Sequence, residues 1–220
     1  MDWAAIWLTM KLASATTLIL FVAGLPLAYW LAMSRWPGRF VIEAVVALPL
    51  VLPPTVLGYY LLVTMGPYGV LGQISTSLFG VRLPFTFAGI LVGSVLFNLP
   101  FAVRPFAAAF AAMDRQLIEA SWCLGVSRFE TFRRVTLPLC WPGILAGLIL
   151  TFAHTVGEFG VVLMIGGNLE GKTRTASVSI YDSVQALDYQ TAGQTALLLL
   201  VFSFTVLCLA QWLGRRGGPV

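Results

Sequence analysis

The residues Glu119-Ala120-Ser121-Trp122-Cys123-Leu124-Gly125, followed after nine positions by Val135-Thr136-Leu137-Pro138, form a polar, basic insertion between two strongly apolar segments. Inside those nine, Ser127-Arg128-Phe129-Glu130 places a glutamate three residues after a serine, the capping-box pattern of a helix start. The spacing predicts a short helix from Ser127 to about Val135. It would carry Phe129 and Phe132 on one face, with Arg128, Arg133 and Arg134 around them. Gly125, just ahead, suits a tight turn that a side chain would obstruct. A helix this short is marginal in water and leans on something. From these residues alone two supports stay open, the rest of its own chain or a partner.

Outward from this insertion the chain is apolar. Of 220 residues 59% are hydrophobic and 10% charged, and the mean hydropathy is +0.89, which excludes an ordinary soluble domain. Cys123, Cys140 and Cys208 show neither metal-ligand spacing nor a disulfide framework. The first apolar run is too long for a cleaved signal peptide and reads as a retained span.

Five spans follow, at about 12–33, 44–65, 85–103, 139–165 and 192–213, in one membrane domain covering residues 1–220. The second carries Pro49, Pro53 and Pro54, so it is not a straight helix. Broken backbone inside a membrane is tolerated where it is buried in protein or faces a wet cavity. Pro49, Pro53 and Thr55 are therefore candidate pathway residues, with a packing kink as the alternative. Residues 66–84 read as a connector rich in Gly, Ser and Thr. In the third span Asn98 needs a partner at that depth, while Arg104 near its end reads as snorkelling to the interface. The fourth carries Gly143, Gly147, Thr151 and Thr155 every four residues, a stripe that admits a close neighbour. His154 and Glu158 share this span at i and i+4. One His and one Glu are too few for a metal site. A structural hydrogen bond near the interface, or a polar point on a solute path, both fit.

Lys and Arg fix the orientation. Eight of the thirteen lie on the side of the Glu119 loop and four on the other, with Arg104 at a helix end. Five spans then put the N-terminus outside, the C-terminus inside, the 114–138 loop in the cytoplasm and residues 166–190 outside. One motif points elsewhere: Gly166-Gly167-Asn168-Leu169-Glu170-Gly171-Lys172-Thr173 fits a phosphate loop after a strand-like Val161–Ile165. Such a loop needs a parallel α/β domain and a metal-holding acid, and about 25 external residues leave no room for one. In the same stretch Ala176, Ile180, Val184 and Leu187 recur at helical spacing and predict an amphipathic surface helix.

The spacing of the Glu119 loop resembles the EAA loop of the membrane-spanning permease subunits of bacterial ABC importers, with Ser121 where Ala is usual. Gly157-Glu158-Phe159-Gly160, Gly167-Asn168, Gly171-Lys172-Thr173-Arg174-Thr175, Ile180-Tyr181-Asp182 and Leu187-Asp188-Tyr189 extend the likeness to the molybdate and sulfate permeases over nearly the whole chain, and Tyr181-Asp182 tips it towards molybdate. That resemblance implies an all-α membrane protein, the transmembrane domain of a type I ABC importer with five or six transmembrane helices and a cytoplasmic coupling helix. It implies contact with an ATPase subunit through Glu119, Ala120, Ser121, Gly125, Ser127, Phe129, Glu130, Phe132 and Arg133. It further implies a homodimer in the inner membrane, two cytoplasmic ATPase subunits that bind the ATP and Mg, and a periplasmic molybdate-binding protein. The chain itself would be no enzyme, and would hold no cofactor, metal or nucleic acid. A doubly charged oxyanion would be trapped by a strong cationic site, so the path is expected to be poor in charge: Pro49, Pro53, Thr55, Asn98, Thr151, Thr155 and Glu158. Lys172 and Arg174 are expected to serve docking or entry outside. A sulfate or thiosulfate importer is the near alternative. The distant one is an intramembrane enzyme or ATP-independent channel using His154 and Glu158.

Overall fold

The computed structural model describes residues 2–216, with side chains through residue 209; the side chains of Arg215 and Arg216, which enter the charge bias, lie outside those described. All regular structure among these residues is helical. Asp2 caps α1 (Trp3–Met33) by accepting the Ala5 N–H at 2.9 Å. Its 31 residues make α1 about 46 Å long, more than a bilayer's hydrocarbon core. The exposed Trp3 and Trp7 near one end, with Trp30 and Trp36 at the other, have the placement of interfacial anchors.

The prolines do what their chemistry requires. α2 (Arg39–Val51) and α3 (Pro54–Met65) are apolar but bent by 112° at the Leu52-Pro53 break. Residues 66–84 are more than a connector. They contain an apolar helix, α4 (Val70–Phe79), stopped by Gly80 in the left-handed region at φ 65°. Its serines and threonines suggested a loop, but two of their hydroxyls are absorbed locally, Thr76 by the Gly72 carbonyl and Ser75 by that of Val81.

Thr86 caps α5 (Phe87–Ala111), which is flanked by α1 and by α8 (Leu137–Val156). The stripe Gly143 and Gly147 meets α5 closely: an ideal Cβ at Gly147 would lie 2.8 Å from the Phe106 ring, and one at Gly143 2.6 Å from Ala109 Cβ. Gly147→Leu is expected to lower stability by roughly 1–3 kcal/mol or more by overpacking a buried contact, read as an earlier melting transition of the detergent-solubilised protein.

α6 (Arg115–Cys123) and α7 (Arg128–Thr131) form the polar insertion. From α7 the chain passes through a π-helical turn, Phe132–Thr136, straight into α8. The helix expected from Ser127 to Val135 is thus the first part of a continuous 29-residue rod, Arg128–Val156. α8 stops at Gly157, earlier than the expected 165. The strand-like Val161–Ile165 stretch lies in a separate helix, α9 (Gly160–Gly166).

Beyond it α10 (Ala176–Gln185) buries Ala176, Val178 and Ser179, while Val184 and Leu187 of the expected apolar stripe are exposed. The Ala176 N–H donates to Thr9 Oγ1 of α1 at 2.8 Å, which fixes that face. α11 (Tyr189–Arg216) follows Asp188, which accepts the Thr191 N–H at 3.1 Å. Hydrogen bonds, that from the Thr191 side chain first, hold the Asp188 carboxyl below its ordinary range. Among the described residues four helices are long and apolar enough to cross a membrane, and the bent α2–α3 pair supplies a broken fifth.

Most of the buried apolar residues among those described fall into two clusters. One, at the end carrying α6 and α7, joins Leu20, Ala28, Leu31, Phe106, Phe110 and Ile144. The other joins Leu12, Leu61, Met65, Ile90, Val161 and Ile165.

Candidate functional site

Two features carry chemistry beyond packing. In the first, the α6–α7 insertion, Asp114 starts α6 by accepting the Gln116 N–H, and Gly125 turns the chain at φ 78°. Ser127 then accepts the Glu130 N–H at 3.3 Å. Only that half of the capping box is seen, because the Glu130 carboxylate pairs instead with Arg134 at 2.8 Å. α6 and α7 are pinned together by Ser121 Oγ and Thr131 Oγ1, 2.8 Å apart and buried.

The two phenylalanines expected on one face part company. Phe132 packs edge-on against Tyr29 of α1 and within 6.2 Å of the Phe110 ring of α5, while Phe129 is 76% exposed. One therefore ties the insertion to the membrane helices, and the other is offered outward. Glu119, Trp122, Arg128 and Phe129 line a groove of about 490 Å³ that also reaches Tyr29 and Arg35. Ala120 and Arg133 are exposed, and Arg128 lies over the Trp122 ring. The loop is built to present an outward surface while its inner side grips α1 and α5.

The second feature lies where spans break. Gly160, the first residue of α9, sits so close to α3 that a Cβ would be 2.8 Å from Pro54 Cβ, so the α2–α3 and α8–α9 breaks adjoin. Pro53 and Thr55 are exposed there and Pro49 is half-buried. In the second break Glu158 is buried, and both Ser94 Oγ and Asn98 Nδ2 of α5 donate to its Oε2, the latter at 2.9 Å. Asn98 Nδ2 also donates to the Ser94 carbonyl, and Asn98 Oδ1 meets His154 Nδ1 at 2.8 Å. His154 stacks on Phe101 with ring centroids 3.7 Å apart. Glu158 Oε1 is buried without a partner.

Asn98 and Glu158, singled out separately in the sequence, are thus one polar cluster. Ser94 belongs to it and was not anticipated. A serine one turn before an asparagine in an apolar run was the available signal. Thr151 and Thr155 stand apart, buried and bonded back to their own helix at the Gly147 and Thr151 carbonyls. Among the described residues no group of three metal-ligating side chains occurs.

On the α10 side, Arg174 is held by Asn168 Oδ1 at 2.7 Å and by Asp2, Glu170 and Asp182 within 4.0 Å, whereas Lys172 is exposed. The phosphate-loop look-alike is closed on itself: Thr173 Oγ1 donates to the Gly166 carbonyl at 2.6 Å and accepts the Leu169 N–H at 3.0 Å. Thr173→Val should cost about 1–3 kcal/mol of local stability and speed tryptic cleavage after Lys172 and Arg174.

A family described as binding-protein-dependent transport system inner membrane component matches residues 24–217. The molybdenum transport system permease protein ModB of Azotobacter vinelandii is 54% identical over 215 residues, covering 98% of this chain and 95% of the relative. Its Escherichia coli K12 counterpart is 33% identical over 215 residues, covering 97% and 94%. The sulfate transport system permease protein CysT of Salmonella typhimurium LT2 is 32% identical over 233 residues, covering 98% and 84%. Among solved structures, a bacterial ABC transporter that imports the acidic polysaccharide alginate matches with TM-score 0.78 at 22% identity, over 97% of this chain and 78% of that one. An inward-facing MetNI methionine ABC transporter matches with TM-score 0.75 at 18% identity, over 99% and 96%. These two carry the type I importer fold.

Proposed function

The chain belongs to the family of binding-protein-dependent transport system inner membrane components, and from that premise we propose that it is the permease subunit of an ATP-driven importer of molybdate or tungstate. The observation that carries the cargo is the 54% identity to the Azotobacter ModB protein along almost the whole of both chains; the likeness to the sulfate permease is weaker.

The subunit burns no ATP. Two copies form the path between them in the inner membrane, two cytoplasmic ATPase subunits dock below, and a soluble oxyanion-binding protein docks above. The N-terminus faces the periplasm and the C-terminus the cytoplasm, an orientation supported by the bias of Lys and Arg towards the α6–α7 side. Glu119, Ala120, Ser121, Gly125, Ser127, Phe129, Glu130 and Arg133 meet the ATPase, and Phe132 passes its motion to α1 and α5. Support comes from the outward groove beside Phe129 and from the seating of Phe132 on Tyr29. Lys172 is left to attract the anion or its carrier, since Arg174 is occupied by carboxylates.

Uptake into proteoliposomes holding the full assembly tests the cargo. Radiolabelled molybdate is expected to be displaced by tungstate at similar concentration and far less by sulfate. Equal displacement by sulfate would move the protein to the sulfate importers.

A further inference from the structure

The polar cluster at the break does more than close a gap in packing. Asn98 has two donors and one acceptor on its amide, and its neighbours assign them. The Ser94 carbonyl and Glu158 Oε2 both accept, so the NH2 faces them and Oδ1 faces His154. His154 Nδ1 is then the protonated nitrogen, and Nε2 is left with its lone pair. Ser94, Asn98 and Glu158 are buried, but His154 is only half-buried. It lies one turn before the exposed Gly157, beside the two adjoining breaks. A polar ring edge facing lipid would be costly, which leaves water, the path or the second copy for its open side.

We infer that His154 is the residue that contacts the oxyanion in transit, with Nε2 taking up a proton only while the anion is beside it. This rests on the importer reading above. As the anion arrives, a hydronium ion in the path gives up a proton, its O–H bond breaking to leave water as the N–H bond forms at Nε2. The imidazolium then donates through Nδ1 to Asn98 and through Nε2 to an oxyanion oxygen. When the anion leaves, the N–H bond breaks and the proton returns to water. Imidazole is the side chain that can make this change near neutral pH, and a charge that vanishes with the cargo attracts it without trapping it. The charged side chains carried by the elements around it are Glu158, reached through Asn98, Arg104, one turn along α5 from Phe101, and Lys11 of α1, which is held over the Phe87 ring at the start of α5; α9 and residues 189–209 of α11 bring none.

The chain has a single histidine, so its ring can be read without ambiguity. Permease labelled with 15N-histidine and purified with a non-histidine tag is assembled in nanodiscs with unlabelled ATPase and binding protein. The resting spectrum is expected to show Nδ1 protonated and Nε2 bare, and molybdate trapped in the assembly should convert Nε2 to N–H. His154→Ala is expected to lower kcat/KM for uptake about tenfold or more, the weight of one charge-assisted hydrogen bond. His154→Gln, which keeps a donor, should recover part of that and flatten the pH dependence. An Nε2–H resting tautomer overturns the inference, as does a spectrum unmoved by molybdate or a pH profile unchanged in His154→Gln, in an assembly whose wild type transports molybdate. Failure of the wild type to transport molybdate would instead sink the importer reading.

Discussion

Replacing Gly125 by valine will stop uptake while leaving the subunit inserted and assembled. Nothing lies within 4 Å of the place a Cβ would occupy, so the substitution meets no steric wall. The penalty is in the backbone: φ of 78° is a conformation that a β-branched residue reaches only at a cost of about 1–3 kcal/mol. The chain escapes by reopening the turn between α6 and α7, which moves Glu119 and Phe129 relative to the Ser121–Thr131 pin. A loss of uptake of tenfold or more is expected, with normal membrane levels. Gly125→Asn provides the control, because asparagine tolerates the left-handed region. It should retain most of the activity, whereas equal loss in both would mean that the space around Gly125, and not its φ, is what the partner needs.

The second large effect belongs to Glu158. Its Oε2 is the common acceptor for Ser94 and Asn98, so Glu158→Ala leaves a hydroxyl and one amide N–H without their acceptor, although Asn98 keeps its bonds to the Ser94 carbonyl and His154. Each buried unsatisfied group costs about 1–3 kcal/mol, and two of them make a loss of roughly 2–6 kcal/mol. A melting transition in detergent should fall by many degrees, and uptake should fall with it. Glu158→Gln keeps an acceptor oxygen and should recover most of the melting temperature. A melting temperature unchanged by Glu158→Ala would show that the cluster contributes nothing to holding α5 against the break.

Much of the fold was legible from residue order. The helix start at Ser127 and the prolines of the second span each state a local constraint that packing did not override. Three things were hidden, for physical reasons. α4 was hidden because its serines and threonines read as loop until their hydroxyls are seen bonded to nearby carbonyls. The end of α8 at Gly157 was hidden because Glu158-Phe159-Gly160 sits in a run as apolar as a helix interior. The joining of Glu158 to Ser94 and Asn98, some sixty residues away, is a tertiary fact that no periodicity encodes. Phe129 and Phe132 part because residues three apart do not coincide around a 3.6-residue turn, and only the Phe132 side meets Tyr29 of α1 and Phe110 of α5.

The claim on which these readings depend is that the motor lies in another polypeptide and works through the α6–α7 insertion. It is tested most directly by ATP turnover and molybdate uptake in proteoliposomes, with the permease alone and with its ATPase subunit and binding protein added. The account predicts no nucleotide binding and no uptake from the permease alone, and ATP-dependent uptake on addition of the ATPase that Gly125→Val removes. ATP hydrolysis by the isolated chain, or full uptake by the Gly125→Val assembly, would contradict it.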